Sequence, residues 1–260
     1  MRLYDVHAHL ADARLTSTLD TVFAAAAAAG VAGILACAAR LEEWEQIVAM
    51  SRHKPVLGAL GLHPFFVRTA PADLAARLRS SLATHPRLVA VGEIGLDFWN
   101  GRQDVALQEA VLLAQLSVAQ DLGLPVILHN RRSWGDFFGL LRTAGIAGLR
   151  GVCHCFSGSR EIAREVLDRG LMVSFCGPIT YANARRIRDA ARYVPLEHLL
   201  TETDCPDLPC QPVAPGLSLP HHVRYILETI AEIKRLPVPV VAEQVEANYL
   251  ALFGTDRNST

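Results

Sequence analysis

Short apolar runs of about four to seven residues, most of them followed by a stretch of helical periodicity, recur from one end of this chain to the other. No other feature restricts the fold as strongly. The runs read as strands near 3–7, 33–37, 56–60, 88–92, 126–129, 151–154, 171–175 and 199–201, and helical patterns occupy 19–29, 41–52, 73–84, 104–122 and 160–169. Strands that alternate with helices form parallel sheets. Near-continuous apolar runs are expected when helices cover both faces of such a sheet. Eight strands in 260 residues suit a single-domain α/β protein, a (β/α)8 barrel of TIM type over residues 1–260. A doubly wound open sheet competes, but the chain has neither G-x-G-x-x-G after its first strand nor G-x-x-x-x-G-K-[ST] anywhere. Gly30, Gly123 and Gly170 stand where helices should end in a left-handed residue.

The charge balance narrows the partners. With 25 Lys and Arg against 26 Asp and Glu, the net charge is −1, so nothing attracts the whole molecule to nucleic acid or anionic lipid. A polyanion would have to be held by a local basic patch or by bound cations. The six cysteines (37, 153, 155, 176, 205 and 210) are scattered without a C-x-x-C pair and read as reduced thiols, which fits a cytoplasmic protein. The opening MRLYDVHAHL meets Asp5 and two histidines before any apolar signal-peptide core can form. The uncharged run 21–39 is mostly alanine and is broken by Gly30 and Gly33, so it reads as a helix followed by a buried strand, not a membrane span. No membrane association and no obligatory protein partner are implied.

The polar residues at the ends of the predicted strands carry the chemistry. His7 and His9 close the first run, and the alternation of a strand turns both to one side. Glu93 follows VAVG, His129 closes LPVIL, His154 closes RGVC and Asp204 follows HLLTE. In a barrel of this type the C-terminal strand ends form the functional face. Imidazoles mixed with carboxylates suit Zn²⁺, Mn²⁺, Co²⁺ or Fe²⁺ better than an all-oxygen Mg²⁺ site, and six ligands exceed what one open catalytic ion takes. Two cations sharing a carboxylate fit the count. Ser157 and Ser159 lack the G-x-S-x-G context of a serine nucleophile.

These residues lie in stretches that together resemble the TatD family of metal-dependent hydrolases, within the amidohydrolase superfamily: DVHAHL (5–10), GLHP (61–64), VGEIGLDF (91–98), LPVILHNRR (124–132), HCFSGS (154–159), GPITY (177–181) and TETDCPDLP (201–209). The resemblance implies that His7, His9, Glu93 and Asp204 hold one divalent cation and Glu93, His129 and His154 the other, with Glu93 as bridge. The ions would be Zn, Mn, Co, Fe or Mg. It further implies hydrolysis of phosphodiesters, commonly in DNA, by an exonuclease-type deoxyribonuclease. Metal-activated water would be the nucleophile and Asp204 the general base. His63, Arg131 and Arg132 are candidate substrate contacts. Related barrels use similar ligands on small amides, esters and lactones or in deamination, which is the second reading; a metal-containing binding protein without turnover is the third. Where relatives carry polar groups after the last strand, this chain reads Gly216-Leu217-Ser218-Leu219-Pro220. If that loop lines the substrate mouth, few phosphate contacts remain, and long DNA should bind less well than a small phosphodiester.

Overall fold

A computed structural model describes residues 1–254. Eight parallel strands follow one another in chain order around a barrel: β1 (Leu3–Ala8), β2 (Val31–Cys37), β3 (Val56–Leu60), β4 (Leu88–Asp97), β5 (Val126–Arg131), β6 (Gly151–Cys153), β7 (Met172–Phe175) and β8 (Leu199–Thr201). Every residue of β1 and β4 is buried, as expected of strands covered on both faces. The seam between β8 and β1 is closed by the end of β8 and the chain that follows it. Thr201 Oγ1 donates to the Tyr4 carbonyl at 2.8 Å, Asp204 N–H to that of His7 at 3.0 Å, and His9 N–H to that of Cys205 at 2.7 Å.

The outer ring comprises α1 (Leu19–Ala28), α2 (Trp44–Met50), α3 (Leu74–Thr84), α4 (Val105–Leu122), α5 (Trp134–Thr143), α6 (Arg160–Leu167), α7 (Arg185–Tyr193), α8 (Val223–Lys234) and α9 (Val238–Phe253). α3 buries Leu74, Leu78 and Leu82, spaced by one turn each. α4 ends at Gly123, whose φ of +63 is the left-handed conformation a side chain would disfavour. The same helix holds two strand ends by buried amides. Gln108 Oε1 accepts from Asp97 N–H at 2.9 Å, and Gln115 Oε1 accepts from Leu62 N–H at 2.7 Å. Each Gln amide also donates to the carbonyl of the same residue, so a side chain replaces a missing strand neighbour.

Several boundaries differ from the sequence reading. β4 runs five residues past 92, because after a register shift between Val91 and Ile94 it continues to pair with β5, from Ile94–Leu128 to Asp97–Arg131. Gly95 permits this close approach: a Cβ there would lie 1.9 Å from the His129 carbonyl oxygen. The stretch 41–52 begins as a 3-10 turn, Leu41–Glu43, before α2. His154 falls one residue beyond β6. No helix among the described residues is long and apolar enough to cross a membrane.

Candidate metal centre

The strand ends bring His7, His9, Glu93, His129, His154 and Asp204 together at the C-terminal face of the barrel. His7 and Glu93 lie within β1 and β4, His129 within β5, and His9, His154 and Asp204 just past their strands. Glu93 stands between two groups. Its Oε2 lies 3.4 Å from both His7 Nε2 and His9 Nε2, while its Oε1 lies 2.8 Å from His129 Nδ1 and 2.7 Å from His154 Nε2. Asp204 Oδ1 completes the first group at 3.6 Å from His7 Nε2 and 3.5 Å from His9 Nε2, the two imidazole nitrogens being 3.1 Å apart.

These separations test whether a cation fits. Tetrahedral ligands at about 2.1 Å from a metal are ~3.4 Å from one another, and ligands at right angles about 3 Å. The His7, His9 and Asp204 atoms, 3.1–3.6 Å apart, match the first spacing, and Glu93 Oε2 lies 3.4 Å from both of those histidines. The Glu93, His129 and His154 atoms, 2.7–3.1 Å apart, match the second. Charge gives the same answer. Glu93, Asp97, Glu202 and Asp204 are all buried, and their only ion-pair partners among the described residues are histidines. Buried carboxylates without Lys or Arg call for cations.

The titration of these groups reflects the same crowding. Burial works to raise the Glu93 carboxyl, but His63, His154 and His7 and the hydrogen bond from His129 outweigh it and hold it well below the carboxylate range. Asp204 is likewise held low, against its burial, by His9, His7 and His154. Burial pushes His63 down to about 3, against the pull of Glu93.

A second layer of polar residues, not singled out in the sequence, orients the ligands. Asp97 Oδ2 accepts from His129 Nε2 at 2.7 Å, which leaves Nδ1 turned to Glu93. Glu202 Oε1 lies 3.5 Å from His154 Nδ1 and accepts from Cys155 N–H at 2.5 Å, while its Oε2 accepts from Ser174 Oγ at 2.6 Å. His9 Nδ1 faces the Cys37 carbonyl at 3.3 Å, leaving Nε2 for the cluster. Asp5 accepts from Thr203 N–H at 2.9 Å and so ties β1 to the chain carrying Asp204. Glu202 lies two residues before Asp204, and Asp97 four residues past Glu93; spacing was the one available signal.

A cavity of 490 Å³ opens above the cluster. Among its lining residues are His9, His63, Glu93, His129, Arg131, His154 and Asp204. His63 Nε2 lies 3.5 Å from Glu93 Oε1. Arg131 and Arg132 place their guanidinium carbons 3.8 and 4.1 Å from the Trp99 ring centroid, but Arg132 is not part of the cavity wall. The 217–219 loop does not line it either, contrary to expectation. Ser218 turns inward and donates to the Thr203 carbonyl at 3.0 Å, and the wall after β8 is made by Asp207 and Leu208.

The family model described as TatD related DNase matches residues 4–254. The chain is 35% identical to the metal-dependent hydrolase YcfH of Escherichia coli strain K12 over 260 residues, covering 98% of this chain and 97% of the relative. It is 34% identical to the 3'-5' ssDNA/RNA exonuclease TatD of Klebsiella pneumoniae strain 342, covering 98% and 99%. The crystal structure of the TatD homologue YjjV from Escherichia coli K12 superposes with a TM-score of 0.91 at 30% identity, covering 97% of this chain and 98% of that one. By fold and by sequence over nearly its whole length, the chain belongs to the family of TatD-related DNases, metal-dependent hydrolases on a (β/α)8 barrel.

Proposed function

We propose that this protein hydrolyses phosphodiester bonds at the end of single-stranded nucleic acid, using two divalent cations held by His7, His9, Glu93 and Asp204 and by Glu93, His129 and His154. The observation that carries the reading is the division of Glu93, one carboxylate oxygen within 3.4 Å of His7 and His9 and the other within 2.8 Å of His129 and His154. The imidazole-rich sets favour Zn²⁺, Mn²⁺, Co²⁺ or Fe²⁺ over Mg²⁺. Bound cations would acidify water and neutralise charge on the phosphoryl and leaving oxygens.

The chain's own groups supply the rest. Asp204, ionised and on the cavity wall, accepts the proton of the attacking water. His63 Nδ1 accepts from Phe65 N–H at 3.0 Å, so a proton on Nε2 can be donated to a phosphoryl oxygen. Arg131, whose side chain has no hydrogen-bond partner among the described residues, offers N–H donors at the cavity wall, and Arg132 carries a second cation on the same Trp99 ring just outside it. The named activity of the Klebsiella relative is the reason to expect removal of nucleotides from a 3′ end. The six free thiols suit a reducing cytoplasm.

The test is metal content together with a substrate panel. Protein saturated with Mn²⁺ or Zn²⁺ should hold close to two equivalents and cleave both a single-stranded oligonucleotide and bis-p-nitrophenyl phosphate. Hydrolysis of an amide or lactone substrate with neither phosphodiester cut would overturn the reading, as would tight metal binding with no turnover of any substrate.

A further inference from the structure

A groove of 780 Å³ lies between the start of α6, with Arg160, and α7, where Arg186, Arg192 and Tyr193 form much of its wall. We infer that this groove binds the phosphodiester backbone of a single strand whose 3′ end occupies the metal centre. The inference rests on the nuclease reading above and adds where the rest of the substrate lies.

The arginines around the barrel mouth fall into two kinds. On the side of β1 to β4 each is tied to carboxylates: Arg14 to Asp207 at 2.8 Å, Arg40 to Glu43 at 3.0 Å, Arg68 to Asp104 at 3.0 Å and Arg102 to Asp136 at 2.5 Å. After β5, β6 and β7 the pattern changes. Arg131, Arg132, Arg160, Arg164 and Arg186 are exposed, and among the described residues none has a carboxylate ion-pair partner. A chain of net charge −1 therefore shows a local arc of uncompensated positive charge beside its active site.

These side chains are also held ready. Arg160 rests its guanidinium 4.5 Å over the Tyr193 ring, as Arg131 and Arg132 do over Trp99. Stacking uses the face of the guanidinium and leaves its edge donors free for phosphate oxygens, whereas a carboxylate partner consumes them. Of the two acids in the groove, Asp189 is bound by Arg192 at 2.6 Å, and the Glu161 carboxyl is held down chiefly by a hydrogen bond from Ser159. With Arg164 at its edge, the groove sets four arginines against those two acids.

The groove and the metal cavity are flanked by the same loop. Ser157 lines the cavity and Ser159 lines the groove. Two residues span at most ~7 Å, no more than about two nucleotide steps at the stacked rise. A strand leaving the metal centre along this loop therefore meets Arg160 and then Arg186 within a few nucleotides.

The experiment compares the double variant Arg160→Gln, Arg186→Gln with wild type on a single-stranded 12-mer, on a dinucleotide and on bis-p-nitrophenyl phosphate. Expected is a rise of about tenfold in KM for the 12-mer, with the dinucleotide and the small ester turned over as before, since neither reaches the groove. The slope of log KM against log salt for the 12-mer should fall by about 1.4, two phosphate contacts at ~0.7 each for a single strand. Arg52→Gln with Lys54→Gln removes the same charge at the opposite end of the barrel and should leave the 12-mer unaffected. If the groove variant loses no more than this control, or loses equally on dinucleotide and 12-mer, the inference is overturned while the nuclease reading stands. A wild type that cuts the small ester but neither binds nor cuts the 12-mer overturns both.

Discussion

Asp97 Oδ2 accepts the Nε2 proton of His129 at 2.7 Å, on the far side of the imidazole from Glu93, whose Oε1 lies 2.8 Å from His129 Nδ1. The carboxylate thus fixes both the tautomer and the tilt of the ring and raises the electron density of the nitrogen facing the cluster. Removing such an outer partner ordinarily weakens metal affinity by about 10–100-fold. Asp97→Ala should do so for one cation, the one facing His129, and titration followed by calorimetry should show one weakened and one ordinary site. Two unchanged sites would remove Asp97 from any role in holding metal.

Glu93→Ala makes a different prediction, because Glu93 is shared. Loss of a carboxylate shared by the four ligand histidines should weaken both cation sites together, and elemental analysis after gel filtration should find well under one equivalent. A variant that keeps one site fully occupied would mean that the two ligand sets are independent.

Asp204→Asn keeps an oxygen near His7 and His9 but takes away the group proposed to receive a proton. Turnover of bis-p-nitrophenyl phosphate should fall by about 10²-fold or more, with KM changed far less. At normal metal content, a rate near wild type would exclude Asp204 as the general base.

The residues of the cluster were legible in the sequence because each closes or follows an apolar run, and parallel strands in a barrel end on one face. The residues behind them were not. Asp97 sits at the end of a strand whose middle, GEIG, contains two glycines and reads as a terminated run; only pairing with β5 shows that the strand continues. Glu202 and Asp5 act through backbone and ring nitrogens from neighbouring strands, which spacing along one chain does not reveal. The apolar 217–219 loop misled because likeness to relatives placed it at the mouth, whereas Ser218 anchors it to Thr203 and Asp207 and Leu208 form the wall. Arginine content was visible, but which arginines are paired depends on which elements become neighbours, as Arg68 does with Asp104.

Stability should depend on pH through His222, well outside the cluster. This imidazole is 8% exposed at the start of α8, and its Nδ1 accepts from Leu219 N–H at 3.0 Å. Burial, with a smaller contribution from His221, lowers its pKa to about 4. In the unfolded chain an ordinary histidine takes up its proton near pH 6.5. Between those two values the unfolded state binds a proton that the folded state refuses, so stability is full above about pH 6.5, falls as pH drops toward 4 and levels off below. Protonation of Nδ1 would also break the cap to Leu219. His222→Asn offers an oxygen to the same N–H and does not titrate. Urea unfolding at pH 7.5 and pH 5 should show a loss of stability on acidification that is smaller in the variant by about 1 to 2 kcal/mol. The histidines of the cluster titrate in both proteins and cancel in this comparison, so an equal loss in wild type and variant would mean that His222 is not held neutral by the fold.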